Sequence, residues 1–269
     1  MTKTVGLFRD DREFHLKIRK GDIGKYVILP GDPFRVPKIA EHLENAEQVA
    51  FNREFNIYTG YLNGEKVSVC SHGIGGPSTA IAVEELIHCG AEYLIRVGTS
   101  GGMHEKVLGG DLVVATAAIK SGTPGEYLPK SYPAVADFEM VKALEQAAKE
   151  LSTNVDGNRY HVGVVHCKDS FYGETNPETM PVESALTDDW KSFLKAGCLT
   201  SEMESDTLFS VSLCRGVKAG SVFTALWNVE HAKTGGEKDL YVDNCERAIK
   251  CAVRAMEILI SNHKQERDE

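Results

Sequence analysis

The chain has 269 residues, 42% hydrophobic and 26% charged, with a formal net charge of -9 at pH 7. This composition suits one globular α/β domain with a substantial core, and the acidic balance argues against a nonspecific nucleic-acid binder. The seven cysteines show no C-x-x-C or zinc spacing, no apolar run approaches a membrane span, and the N-terminus lacks the apolar core of a signal peptide, so a reduced, cytoplasmic protein that contacts neither membrane nor nucleic acid is expected.

Residues 1–24 are charged and weakly periodic, and Phe14 to Lys17 reads as a short edge strand or an arm. Lys25 to Leu29 is the first buried strand, running into the turn Pro30-Gly31-Asp32-Pro33. Asp32 is expected to cap a helix that starts at Pro33, carries Arg35 in its first turn and reaches about Leu43. Gln48 to Phe51 and Ile57 to Leu62 are strand-like, with Asn52-Arg53-Glu54-Phe55 between them. Asn63-Gly64 signals a hairpin into Lys66 to Ser71. Three glycines then lead to a helix from Pro77, with Ile81, Ala82, Leu86 and Cys89 at helical spacing.

Ala91 to Gly102, A-E-Y-L-I-R-V-G-T-S-G-G, is the central stretch. It reads as a buried strand ending in a glycine-rich turn at Gly98, Gly101 and Gly102. Further strands are expected over Gly110–Ile119, His161–Cys167, Cys198–Thr200 and Ser221–Trp227. Helices are expected over Asp137–Leu151, Asp188–Ala196, from the S-E-M-E-S segment to Cys214, and over Lys238–Asn262. Strands and helices alternate with no convincing linker or repeat, which argues for an α/β sheet in a single domain, 1–269.

Arg96 sits inside an apolar run, and a guanidinium there needs an anion or a wet cleft. Near the carboxyl end of its strand, with Thr99 and Ser100 beyond it, it could seat an anionic ligand or pair with an internal carboxylate. Arg35, after a strand, a glycine and a helix start, is open to two roles, anion contact or surface charge. Glu202 and Glu204 stand at another helix start, where carboxylates either accept from sugar hydroxyls or complement the helix dipole. Two motif matches fail. No G-K-[ST] follows Gly73 to Gly76, and G-T-S-G-G lacks the strand–turn–helix context of a serine nucleophile.

The segment Ser71 to Leu86, S-H-G-I-G-G-P-S-T-A-I-A-V-E-E-L, resembles the signature of the uridine phosphorylase branch of the nucleoside phosphorylase-I family. G-D-P-F-R (Gly31 to Arg35), N-R-E-F (Asn52 to Phe55), R-V-G-T-S-G (Arg96 to Gly101), S-Y-P-A-V-A-D-F (Ser131 to Phe138), D-S-F-Y (Asp169 to Tyr172) and E-M-E-S (Glu202 to Ser205) follow in the family's order. The resemblance implies a central mixed β-sheet flanked by helices, and reversible phosphorolysis of a nucleoside with inorganic phosphate as co-substrate and no organic cofactor. It assigns phosphate contacts to Gly31, Arg35, Arg96 and Thr99, with Arg53 and His15 completing a neighbouring subunit's site, the histidine toward the ribose. It gives ribose to Met203 and Glu204 with Glu202 in support, and the catalytic weight to Glu204 and Arg96. Phe171 would pack on the base or sugar. A homo-oligomer is implied, a hexamer built from dimers, with a potassium ion mapping to Glu54, Ile74 and Ser78.

The base-reading positions depart from the family. A glutamine and an arginine are expected just after F-Y; here Glu174 stands at the first position and no arginine follows. Asn228 stands where purine phosphorylases of the family place an aspartate. Lys168, Thr175, Thr179 and Asn228 are the candidate donors to a uracil carbonyl, and Lys168 could instead pair with Glu174. The reading is therefore phosphorolysis of uridine. A purine nucleoside phosphorylase and a non-catalytic nucleoside-binding protein are the alternatives.

Overall fold

The computed structural model describes residues 11–234 and 241–268. In chain order the elements are β1 (Tyr26–Pro30), α1 (Arg35–Ala40), β2 (Glu44–Asn52), β3 (Phe55–Leu62), β4 (Glu65–Cys70), α2 (Gly76–His88) and β5 (Tyr93–Gly102). There follow β6 (Leu112–Ile119), β7 (Ala134–Val135), α3 (Phe138–Glu150), β8 (Tyr160–Cys167), α4 (Phe171–Thr175) and α5 (Glu183–Lys195). The chain continues through β9 (Thr200–Glu202), α6 (Ser205–Arg215), β10 (Lys218–Asn228), α7 (Val229–Thr234) and α8 (Glu246–Asp268).

The strands form one mixed sheet. β1 lies parallel between β4 and β5, and β3 and β2 extend that edge antiparallel. On the other side β5 pairs in parallel with β10, β10 antiparallel with β6, β6 in parallel with β8, β8 in parallel with β9, and β9 antiparallel with β5. Those five strands close on themselves. The two-residue period of a strand then sorts the chain into two cores. Tyr26, Ile28, Ile95 and Val97 face α3 and α8, while Val27, Leu29 and Leu94 face the side packed by α2 and α6. Arg96 and Gly98 fall on the α2/α6 face by the same alternation.

The fold class follows the sequence reading, and five local expectations are corrected. Phe14 to Lys17 is a turn and not a strand. α1 begins at Arg35, because the Asp32 carboxylate accepts from the Phe34 N–H and holds a preceding turn instead of capping from Pro33. The glycines of the central stretch do not turn the chain: β5 runs on through Gly102. They admit neighbours instead, since a Cβ on Gly102 would lie 2.8 Å from the Val107 carbonyl oxygen and one on Gly98 would lie 3.2 Å from Arg96 Nη2. α5 starts at Glu183, five residues earlier than the expected Asp188, and α8 starts at Glu246, later than the expected Lys238: Lys238 itself lies outside the described residues, but Tyr241 to Cys245 are described and not helical. All seven cysteines are unpaired, and among the described residues no helix is long and apolar enough to cross a membrane.

Candidate active site

A cavity of about 860 Å³ opens beyond the carboxyl ends of β1, β5, β9 and β10, where an open α/β sheet places its ligands. Arg96 lies at its floor, 4% exposed. Its Nε donates to Glu202 Oε2 at 3.0 Å, its Nη2 reaches Glu202 at 3.0 Å and also donates to Glu204, and its Nη1 meets His72 Nε2 at 2.8 Å. The Phe223 ring lies 5.3 Å from the guanidinium carbon. Burial works against the charge of Arg96, but the charges of Glu204 and Glu202 outweigh it and hold the guanidinium protonated. Of the two sequence readings of Arg96, the structure shows the pairing with internal carboxylates. It is an internal counter-ion first, and of its five N–H groups one on Nη1 remains for a ligand.

His72 is fully buried, and burial followed by the Arg96 charge keeps it neutral. Its Nε2 therefore accepts from Arg96, and its Nδ1–H points at Thr79 Oγ1, 3.1 Å away. Thr79 in turn donates to the Gly75 carbonyl. Glu202 is equally committed. Oε2 accepts from the Glu204 N–H and Oε1 from the Ser205 N–H and the Cys167 thiol. Burial raises its pKa, yet Arg96 and these donors bring it below the usual carboxylate range. With its oxygens so engaged, Glu202 holds Arg96 and the Glu204 N–H and has no lone pair left for a sugar hydroxyl. Glu204 differs. Oε1 accepts from Gly75 N at 2.7 Å, at the start of α2, and Oε2 faces Arg96. Burial raises its pKa, Arg96 opposes the rise and the nearby Glu202 adds to it.

Gly31, Arg35 and Thr99 share the cavity wall with Arg96. Arg35 is partly exposed, and its Nε lies 4.0 Å from Asp32. Met203 and Phe171 line the same space. At the far end Lys168 Nζ lies 3.1 Å from Glu174 Oε1, both side chains about nine-tenths buried. Ser201 Oγ donates to Glu174 Oε2 at 2.5 Å, and His166 Nδ1 lies 3.3 Å from the same oxygen. Burial raises the Glu174 pKa, but His166, Lys168 and Ser201 together hold it below its usual value.

A profile of the phosphorylase superfamily matches residues 25–261. The chain belongs to that family. It is 47% identical to a uridine phosphorylase of Treponema pallidum (strain Nichols), over 95% of this chain and 97% of the relative. It is 40% identical to a uridine phosphorylase of Thermococcus kodakarensis, over 84% of this chain and 82% of the relative. It is also 37% identical to a guanosine phosphorylase of Halorubrum lacusprofundi, over 91% and 98% respectively.

Five expected site residues, Asn228, Arg53, His15, Ser78 and Thr179, fall outside the cavity wall. Asn228 is the clear correction. It is fully buried, its amide donates to the carbonyls of His104 and Val107, and its Oδ1 accepts from the N–H groups of Glu230 and His231. It ties the end of β10 to a loop and starts α7, so it does not read a base. Arg53 is exposed at the β2–β3 turn with φ of 56°. His15 binds Glu85 through Nδ1 at 2.7 Å, and Ser78 donates to Glu54 Oε1 at 2.8 Å. Glu54 and Ile74 do line the cavity. Sequence reasoning gave no role to His72, Ser201 or His166, because only partners brought together by the fold, Arg96 for His72 and Glu174 for Ser201 and His166, reveal their use.

One neighbour of the site gives a pH prediction. Asp206 is buried, and burial pushes its pKa from 3.8 up to about 6, although the N–H groups of Ser121 and Thr207 oppose this. The folded state therefore holds the proton more tightly than the unfolded chain. The resulting stabilisation is complete at low pH and is lost as pH rises through about 6. The urea-unfolding free energy of the wild type relative to Asp206→Asn should drop by about 3 kcal/mol from acid to neutral pH. A flat difference would show that the fold does not raise the Asp206 pKa.

Proposed function

We propose that the protein catalyses the reversible phosphorolysis of uridine, giving uracil and ribose 1-phosphate. The observation that carries this reading is Glu204, a carboxylate held between Arg96 and the Gly75 N–H at the wall of a cavity that also presents Arg35 and Thr99. One negative charge stands beside a cationic seat, as a ribosyl cation attacked by phosphate requires. Phosphate is a poor nucleophile, so positioning and electrostatics carry the rate. Gly31, Arg35, Thr99 and the remaining Arg96 N–H hold the phosphate. Met203 and Glu204 hold the ribose. The bond from C1′ to the base nitrogen breaks as a phosphate oxygen bonds to C1′. The base leaves with the electron pair, and Phe171 packs against it. The guanosine phosphorylase at 37% identity supports a purine alternative within the family. Base release from uridine that needs phosphate tests the reading; release of equal rate in water alone would sink it.

The proposal extends to a single domain over 1–269, a cytoplasmic location and an oligomer. Exposed Phe34, Phe51 and Ile74 support contact with a second copy. In that assembly Arg53 and His15 complete a neighbour's site. Glu54, Ser78 and Ile74 offer oxygens suited to a hard monovalent cation such as potassium, which would neutralise Glu54 and steady that contact. A mixing experiment addresses the shared site. Arg53→Ala and Glu204→Gln subunits, each nearly inactive alone, should on random exchange into two-fold pairs regain about a quarter of wild-type activity. Proven exchange without recovery would place Arg53 outside the site.

A further inference from the structure

Resting on the phosphorylase reading, we infer that Lys168 and Glu174 together read a lactam edge of the base, a carbonyl beside a ring N–H, so that 6-oxopurine nucleosides are substrates alongside uridine while cytidine and adenosine are rejected. The pair is rigid. Lys168 Nζ donates to Ser201 Oγ at 2.8 Å and lies 3.1 Å from Glu174 Oε1, while Glu174 Oε2 accepts from Ser201, with His166 Nδ1 3.3 Å away. An ammonium has three N–H groups, and two are engaged. Glu174 Oε1 meets Lys168 and keeps a lone-pair direction. Both residues line the cavity. A charged donor and a charged acceptor are thus presented side by side.

Uracil offers O4 next to N3–H, and hypoxanthine and guanine offer O6 next to N1–H. Each places its carbonyl on the ammonium and its N–H on the carboxylate. Cytosine and adenine offer an amino group next to a ring acceptor. That edge sets N–H against the ammonium and a lone pair against the carboxylate, so both contacts repel. Nothing in the pair measures ring size, and a cavity of about 860 Å³ has room for a fused ring system. Asn228, the other position at which the family distinguishes purines, is turned into the backbone.

The test compares uridine, inosine, guanosine, cytidine and adenosine at saturating phosphate. The three keto nucleosides should react within roughly a hundredfold of one another, and cytidine and adenosine at least about a hundredfold more slowly than uridine and inosine. Glu174→Gln, whose amide can present either group, should raise the cytidine-to-uridine ratio about tenfold or more with the phosphate KM unchanged. Uridine turnover with no detectable inosine or guanosine turnover overturns the inference and leaves the phosphorylase reading standing. Cytidine reacting as fast as uridine overturns it too. If no nucleoside shows phosphate dependence, the phosphorylase reading fails. The fluorescence of Trp227, which lines the cavity, then decides the edge without turnover. Preferred binding of uridine and inosine over cytidine and adenosine supports it, and equal binding overturns it.

Discussion

Arg96→Ala will lose about 3–5 kcal/mol of stability, a large share of the 5–15 kcal/mol typical of a folded domain, and will show no measurable phosphorolysis. The reason is on the inside of the sheet. Arg96 neutralises Glu202 and Glu204, whose side chains are 0% and 6% exposed. Alanine leaves two buried carboxylates side by side with no cation. Their answers differ. Burial already raises the Glu204 pKa, so Glu204 takes up a proton first. Glu202 keeps its backbone donors from Glu204 and Ser205 and stays ionised longer. Stability of the variant should therefore recover as pH falls, opposite to the usual acid response. The double variant Arg96→Ala with Glu204→Gln, which removes one of the two charges, should regain part of the loss. Urea unfolding at several pH values measures all of this. An Arg96→Ala protein as stable as wild type would mean that the charge network does not hold the site together. Arg96→Lys keeps the charge but not the fork, so it should fold well and still lose phosphate affinity.

How much of this was legible depends on how local each signal is. α8 and α3 announce themselves because their apolar positions repeat every three or four residues. The buried strands β1 and β5 are equally plain. The glycines of β5 misled because glycine marks both a turn and a close approach, and only the neighbours Val107 and Arg96 decide between them. Arg96 was visible as a charge in an apolar run, but its partners lie 106 and 108 residues away. Asn228 is the same lesson reversed. The family resemblance put Asn228 at a base-reading position, and the acceptors of its amide proved to be carbonyls 121 and 124 residues away. Lys168 and Glu174 are six positions apart, and the short helix α4 folds the chain back so that they touch. Nothing in their spacing alone required that.

Glu204→Gln should lower kcat by about a hundredfold to a thousandfold while the phosphate KM changes little, because it removes charge where charge develops rather than where the ground state binds. Size is conserved, so the cavity keeps its shape. The amide has one acceptor where the carboxylate had two. Glu204 now accepts from both Gly75 N and Arg96, so one of those donors must face an N–H₂ group in the variant. An unpaired buried donor costs about 1–3 kcal/mol, which the fold can bear. The Arg96 charge stays neutralised in part by Glu202. The pH profile separates a catalytic role from a structural one. Glu204 must be ionised to stabilise a ribosyl cation, and its pKa is raised by burial and by Glu202 against the pull of Arg96. The acid limb of wild-type kcat should therefore lie above the ordinary carboxylate range, with activity lost as pH falls through it. Glu204→Gln should abolish that limb and leave a low, flat rate. A variant that keeps the acid limb at reduced height would assign the limb to another carboxylate. Wild-type kcat in a folded Glu204→Gln protein would remove Glu204 from the chemistry altogether.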